Sequence, residues 1–348
     1  MSNVDVVVPC YNYAHFLPRC VDSILGQSGV DLRVLIVDDA STDETPAVGE
    51  RLQTQDPRVE FRRHASNRGH IATYNEGLLD WARADYSLLI SADDLLAPGA
   101  LARAAQLMDR HPRVVMTYGM CLIIDDADLA LPPALPSDET LVLPGRRFVK
   151  KVFDETNVVP TPTAIVRTGL QQQLGGYKAH LPHSADMELW LRFAMHGDVG
   201  VIRATQAYYR RHAGSMSARY YARAVSDRRE RLATYDEVIA GYGAGDAQLK
   251  AWRDQAAHRL AENALWLAAE ALQAGDRDGC ADCVAFAVEA SPGVRASPLW
   301  RSLRFKRLLG PALSRATSRL ADRLRGRATA DTDTPVVQIG WWPESQSA

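Results

Sequence analysis

The stretch YSLLISADD, Tyr86 to Asp94, is an apolar run that stops at two adjacent carboxylates. Ser87 to Ile90 have the small or apolar character of a strand buried on both faces, which places Asp93 and Asp94 just past its carboxyl end. In an open α/β sheet that end is where ligands bind. Two carboxylates side by side repel unless a cation neutralises them, and an oxygen-ligated Mg²⁺ or Mn²⁺ does so. The competing reading is turn chemistry, with both acids facing water.

Upstream, the same pattern recurs. Val4 to Val8 is an apolar strand closed by Pro9, and Tyr11-Asn12 follow in a turn. Phe16, Cys20 and Ile24 then recur at helical spacing. Leu32 to Val37 is a second buried strand that ends in paired acids, Asp38-Asp39. Ser41 stands three residues ahead of Glu44, the spacing of a capping box, and predicts a helix start there. Val59 to Arg63 reads as a third strand leading into Asn67-Arg68-Gly69, with a helix from about His70 to Ala84. Strand and helix alternate four times, the pattern of a parallel sheet with right-handed crossovers. Polar clusters thus fall at four successive strand ends.

Downstream, Pro98 is placed for the first turn of a helix. Val114 to Ile124 reads as a longer strand, followed by an LPPALP loop suited to mobility or partner choice. A short helix around Phe148 to Phe153 and a strand from Pro160 to Val166 precede the clearest helix, Ser184 to His196, which carries Asp186 in its first turn. Val199 to Ile202 and Gln206 to Arg210 read as two short strands ahead of His212. Beyond residue 219 the chain turns Ala-rich and helical, with one hairpin similar to a tetratricopeptide unit but no repeat array. The organisation expected is a catalytic domain over 1–218, a helical region over 219–310 and a tail over 311–348.

Composition narrows the functions available. Charged residues make up 24% of the 348-residue chain and the net charge is −2, so no nucleic-acid partner follows from bulk charge. Five cysteines, with one CxxC at Cys280 and Cys283 and no histidine cluster beside it, suit a reducing compartment and no disulfide framework. The amino terminus lacks signal-peptide character, and no apolar run reaches the roughly 18 residues of a membrane span. A cytoplasmic protein is expected, at most peripheral on the inner face of a membrane. Peripheral contact would come from 300–327, where Lys and Arg flank a stripe formed by Leu309, Leu313, Leu320 and Leu324. A solvated helical face is the alternative there. The tail after Gly326 reads as polar and disordered.

Taken in order, VVVPCYNYAHFLPRCVDSILGQ, VDDASTDET, NRGHIATYNEGL, ISADD, SADMELWLR and YRRHAGSMS resemble glycosyltransferase family 2 across about residues 3 to 218. The resemblance implies the GT-A fold, a Rossmann-like α/β domain with a mostly parallel sheet, followed here by an α-helical C-terminal region. It also implies inverting, metal-dependent transfer from a nucleotide sugar, UDP-linked, to a glycan, lipid-linked or natural-product hydroxyl, as in cell-surface polysaccharide synthesis. The donor set it implies is Pro9, Tyr11, Asn12, Asp38, Asp39, Asn67, Arg68, Asn75, Ala92 and Asp93.

Residue chemistry supports that set, with bland alternatives beside it. Tyr11 can stack on a base and Asp39 can accept from a pyrimidine imide; as local structure they are a turn aromatic and a capping acid. Arg68 can balance pyrophosphate charge or lie at the surface. Asp93, with Asp94 and His212, would hold Mn²⁺ or Mg²⁺ against the diphosphate. Asp186 would be the base that deprotonates the acceptor, against the alternative of a favourable charge at a helix N-terminus. Glu188 and Trp190 serve acceptor contact or packing. The chain departs from the family at Ser91 and Ala185, where relatives often carry acids. A nucleotidyltransferase and a silent nucleotide-binding scaffold are the alternatives, the first lacking its Gly- and Lys-bearing loop between Pro9 and Ala14.

Overall fold

The computed structural model describes residues 1–125, 131–212, 214–215, 224–308 and 338–343. These fall into two units, one within residues 1–152, 156–213 and 336–348, the other within 153–155 and 214–335.

The first unit begins with four β/α steps. Strand β1 (Asn3–Cys10) leads through α1 (Leu17–Leu25) to β2 (Asp31–Asp38), then through α2 (Thr45–Gln55) to β3 (Val59–Arg63), and through α3 (His70–Asn75) to β4 (Tyr86–Leu89). After β5 (Leu95–Leu96) come α4 (Ala100–Arg110), β6 (Val114–Ile124), β7 (Thr140–Leu143) and α5 (Gly145–Asp154). Next are β8 (Ile165–Arg167), α6 (Thr168–Leu174), α7 (Ala185–His196), β9 (Asp198–Arg210) and, far along the chain, β10 (Gln338–Ile339). All ten strands join one sheet, ordered β3-β2-β1-β4-β8-β6-β9-β5, with β7 on β9 and β10 on β6. The half from β3 to β4 is parallel, β8 runs antiparallel to both β4 and β6, and β6 and β9 are parallel again.

Register explains why the polar clusters converge. Val7 is level with Leu35 on one side and Leu89 on the other, and Cys10 is level with Asp38. Tyr11-Asn12, Asp39 and the residues after β4 therefore leave the sheet along one edge. Val6, Val8, Val34 and Ile36 are completely buried beneath that edge, each contributing about 1.5–3 kcal/mol by leaving water. One glycine is required by the packing: a Cβ on Gly77 would lie 2.3 Å from a Val7 methyl. The helix is pressed that closely onto β1.

Several expectations are corrected. The helix from His70 does not run regularly to Ala84; α3 passes into a π-helical stretch, Glu76–Trp81, a widened turn of a kind frequent at functional sites. The capping box fails, since α2 starts at Thr45 and the Ser41 hydroxyl accepts from the Asn12 N–H instead. Pro98 lies outside α4, whose cap is Gly99. Thr161–Thr163 form a 3₁₀ turn ahead of β8, and the two strands expected after Val199 are one, β9. Arg203 is its exposed position and interrupts the apolar run.

In the second unit the helices Ala224–Tyr242, Ala247–Ala274 and Arg277–Ala290 bury an alanine-rich seam including Ala257, Ala261, Ala264 and Ala268 together with Phe286. Asp246 and Asp276 cap the second and third, each accepting a backbone N–H three residues on. Phe153 stacks on Tyr235 with ring centroids 4.6 Å apart. Cys280 and Cys283 are buried in this packing, and burial pushes the Cys283 thiol up to about 11. Such thiols are inert. Among the described residues no helix is long and apolar enough to cross a membrane. Of the basic segment 300–327, residues 309–327 lie outside those described, as do nearly all of 311–348.

Candidate active site

The acids that end YSLLISADD are buried and differ in their partners. Asp93 is 8% exposed and Asp94 3%. The Asp94 carboxylate accepts from the backbone N–H of Arg210 at 2.9 Å, tying the loop after β4 to the end of β9. Asp93 turns to His212, with Oδ2 3.0 Å from Nε2. Burial raises the proton affinity of both carboxyls, and in Asp94 the neighbouring Asp93 charge raises it further. Arg210 opposes this. Its buried guanidinium donates to the carbonyls of Asp93 and Asp125 and lies over the Phe16 ring at 4.6 Å. Sequence reasoning missed it, because an Arg at the end of an apolar strand gives no sign of folding back on an acidic turn. Tyr13 and Phe16 pack their rings on His212 and hold its imidazole in place.

Those residues suit a divalent cation. An oxygen and an imidazole nitrogen 3.0 Å apart match the separation of about 3 Å between neighbouring ligand atoms in an octahedral shell with bonds near 2.1 Å. The mixed O/N pair accommodates Mn²⁺ as well as Mg²⁺. No cluster of three or more ligating side chains occurs among the described residues, so a cation here would take the rest of its shell from groups other than these side chains.

Along the edge, the loops after β1, β2 and β3 interlock. Asn12, with φ 59°, accepts on Oδ1 from the Thr42 N–H, and Asp38 accepts from the Ser41 N–H with Arg63 3.2 Å from its other oxygen. Both therefore order turns. Asp39, 4% exposed, accepts from the backbone N–H groups of Arg68 and Gly69, and Asn67 donates to its carbonyl. Gly69 has φ 83°, a conformation an L side chain rarely adopts, and so presents its N–H to Asp39. Tyr11 stays 46% exposed beside this cradle. Ala92 is fully buried, so only its backbone can meet a ligand, and Pro9 lies within β1 opposite Val37. The Arg68 guanidinium is bonded to Glu76 at 2.7 Å.

On the facing side, Asp186 receives hydrogen bonds from Asn157 at 2.8 Å and Thr161 at 3.1 Å, and from the N–H of Met187. Burial nonetheless raises its pKa. Asn75 is committed to structure: its amide donates to the Tyr177 carbonyl and accepts from the Tyr177 N–H. Glu188 and Trp190 are both buried. Glu188 is 1% exposed and paired with Arg192 and Lys178, and Trp190 lies edge-on to Tyr177. Tyr74, which sequence reasoning passed over, stands between the two sides. It packs on His70 and Tyr177, and burial with the charges of Asp93, Asp186 and Asp94 pushes its hydroxyl well above the ordinary tyrosine range.

Residues 5–167 match the family model described as Glycosyl transferase family 2. They form a glycosyl transferase family 2 domain. The match ends before Asp186 and His212, which the following elements supply. A chondroitin synthase of Pasteurella multocida is 39% identical over 98 residues, covering 28% of this chain and 10% of that protein. The chain thus spans about a tenth of that relative's length. A Campylobacter jejuni GalNAc(5)-diNAcBac-PP-undecaprenol beta-1,3-glucosyltransferase is 31% identical over 131 residues, 37% of this chain and 41% of that one. Among solved structures, S. aureus TarS 1-349 in complex with UDP-GlcNAc superimposes with a TM-score of 0.65 at 16% identity, over 99% of this chain and 97% of the other. The mannosyltransferase PcManGT of Pyrobaculum calidifontis, in complex with GDP-Man and Mn2+, gives 0.52 at 18% identity over 92% and 84%. The family 2 domain thus has the GT-A fold.

Proposed function

We propose that this chain is an inverting glycosyltransferase that moves a sugar from a UDP-linked donor to a hydroxyl of a glycan or lipid-linked acceptor. The observation that carries this reading is the meeting of Asp93 and His212 at 3.0 Å on the sheet edge where the Asp39 cradle also opens. Tyr11 offers an exposed ring for stacking. Asp39 has three protein donors for roughly four acceptor positions, which leaves one for a ring imide N–H.

Asp93 and His212 would hold Mn²⁺ or Mg²⁺, which supplies charge neutralisation for the departing diphosphate. Asp186 takes the proton of the acceptor hydroxyl while that oxygen forms its bond to the anomeric carbon. The bond from that carbon to the diphosphate oxygen breaks, its electron pair leaves with UDP, and attack from the opposite face inverts the centre. Asn157 and Thr161 hold the base by donating to one of its oxygens. The family 2 domain favours this over nucleotidyl transfer. The bound donors of TarS and PcManGT, and the undecaprenol-linked substrate in the Campylobacter enzyme's name, support a nucleotide-sugar donor and a glycan or lipid-linked acceptor. A cell-surface polysaccharide pathway in the cytoplasm, with 300–327 resting on the inner membrane face, fits such a substrate.

A thermal-shift panel of nucleoside diphosphates and nucleotide sugars with Mn²⁺ tests the proposal. Stabilisation by UDP that disappears with a chelator is expected. A panel in which no nucleotide stabilises the protein would refute it.

A further inference from the structure

His64 has no place in the reaction as described, yet it is buried between two carboxylates. It follows β3 directly and is 9% exposed. Its Nδ1 lies 2.7 Å from Asp39 Oδ1, and its Nε2 lies 3.0 Å from Glu76 Oε2. Ionised carboxylates only accept, so both contacts are hydrogen bonds when each ring nitrogen carries a proton. The same Glu76 oxygen accepts from Arg68 Nη1 at 2.7 Å, while the Arg68 backbone N–H returns to Asp39 Oδ1 at 2.7 Å. The circuit closes: Asp39, His64, Glu76 and Arg68 join in one ring of polar contacts that draws the loops after β2 and β3 together. Glu76 enters it from the first position of the π-helical stretch.

We propose that His64 is a positioning residue for the nucleotide. It fixes the Asp39 carboxylate at Oδ1, the oxygen that also accepts from the Arg68 N–H, while Gly69 donates to Oδ2, leaving one acceptor position for the base. Through Glu76 it also sets the guanidinium of Arg68, half exposed at the rim of the same cradle. His64 touches no substrate; it acts through Asp39 and Arg68. A surface histidine would tolerate replacement, whereas this one is buried and joins the loop after β2 to the π-helical stretch. The inference rests on Asp39 as the base acceptor, as proposed above.

The test uses the full chain with Mn²⁺ and compares the parent with His64→Ala, His64→Gln and Glu76→Gln. Calorimetry reads UDP and ADP affinity, and steady-state kinetics reads donor KM and kcat. His64→Ala should weaken UDP binding about tenfold, the effect of one charge-assisted hydrogen bond, with kcat little changed and the UDP-over-ADP preference reduced by the same factor. His64→Gln, which keeps one donor, should recover part of the loss. Equal UDP affinity in His64→Ala, or an unchanged UDP-to-ADP ratio, overturns the inference. If His64→Ala does not fold, Glu76→Gln decides: it keeps the shape and removes the charge, so a few-fold weaker UDP binding supports the role and parental affinity overturns it. A parent that binds no UDP overturns the base-site reading as well, which separates that failure from this one.

Discussion

Asp186 combines a buried carboxyl with three hydrogen-bond donors, and the two influences oppose each other. Burial raises its pKa, while Asn157, Thr161 and the Met187 N–H favour the ionised form. Asp186→Asn should lower turnover by roughly 10²–10⁴ and leave UDP affinity near parental, measured by initial rates and calorimetry. A base must be ionised to act, so activity should fall with acid at a pH above the ordinary carboxylate range. Asn157→Ala removes a donor to the ionised form and should move that limb further upward in a pH–kcat/KM profile. Asp93 has a different sign to work out. Its folded-state pKa is raised by burial, so the ionised form costs stability at neutral pH, and the cost fades as pH falls through that pKa. Asp93→Asn should therefore raise the melting temperature of the metal-free protein by a few degrees, roughly, while abolishing the Mn²⁺-dependent shift with UDP. At this scale the sequence exposed the acids that end strands, since an apolar run closed by carboxylates is visible in one dimension. It hid Arg210, His64 and Tyr74, whose meaning comes from partners 117, 25 and more than 100 positions away.

Among the elements, α3 links the two sides of the cleft. His70 lies 2.8 Å from the Pro182 carbonyl, Tyr74 packs on Tyr177, and Asn75 grips the Tyr177 backbone twice. Glu188 and Arg192 hold the same segment from α7, with Arg192 donating to the carbonyls of Leu174 and Gly176. The stretch before Asp186 is thus clamped from both sides. Asn75→Ala would strand a buried N–H and a carbonyl, a loss of about 1–3 kcal/mol, and should lower kcat more than it raises donor KM. Steady-state kinetics against both substrates checks this, since a change confined to donor KM would place Asn75 on the nucleotide instead. Elements with one strong pattern were legible: β3 and β6 have the bounds expected from their apolar runs. Short elements such as β5, β7 and α6 were not, because two to seven residues carry too little periodicity and are formed by their neighbours. The π-helical stretch was equally hidden. It includes Gly77, whose close approach to Val7 no local spacing records.

For the whole molecule, the switch to Ala-rich helix near residue 219 was plain in composition, whereas the return of the chain to the first sheet was not. Arg and Lys residues outnumber acids nine to one over 300–327, and removal of everything after Pro298 should reduce binding to anionic liposomes in a flotation assay while transfer to a soluble acceptor persists. Equal flotation of the shortened protein removes the membrane from the account. The pairing of β10 with Leu122 and Cys121 of β6 has a further consequence for biosynthesis. Cys121 and Leu122 leave the ribosome roughly 200 residues before their partners exist, so this rung of the ladder closes last, after the slowest kind of loop search. During translation the nascent sheet carries an open seam, and a ribosome stalled before Gln338 would hold a domain with its nucleotide edge formed and that seam unsealed.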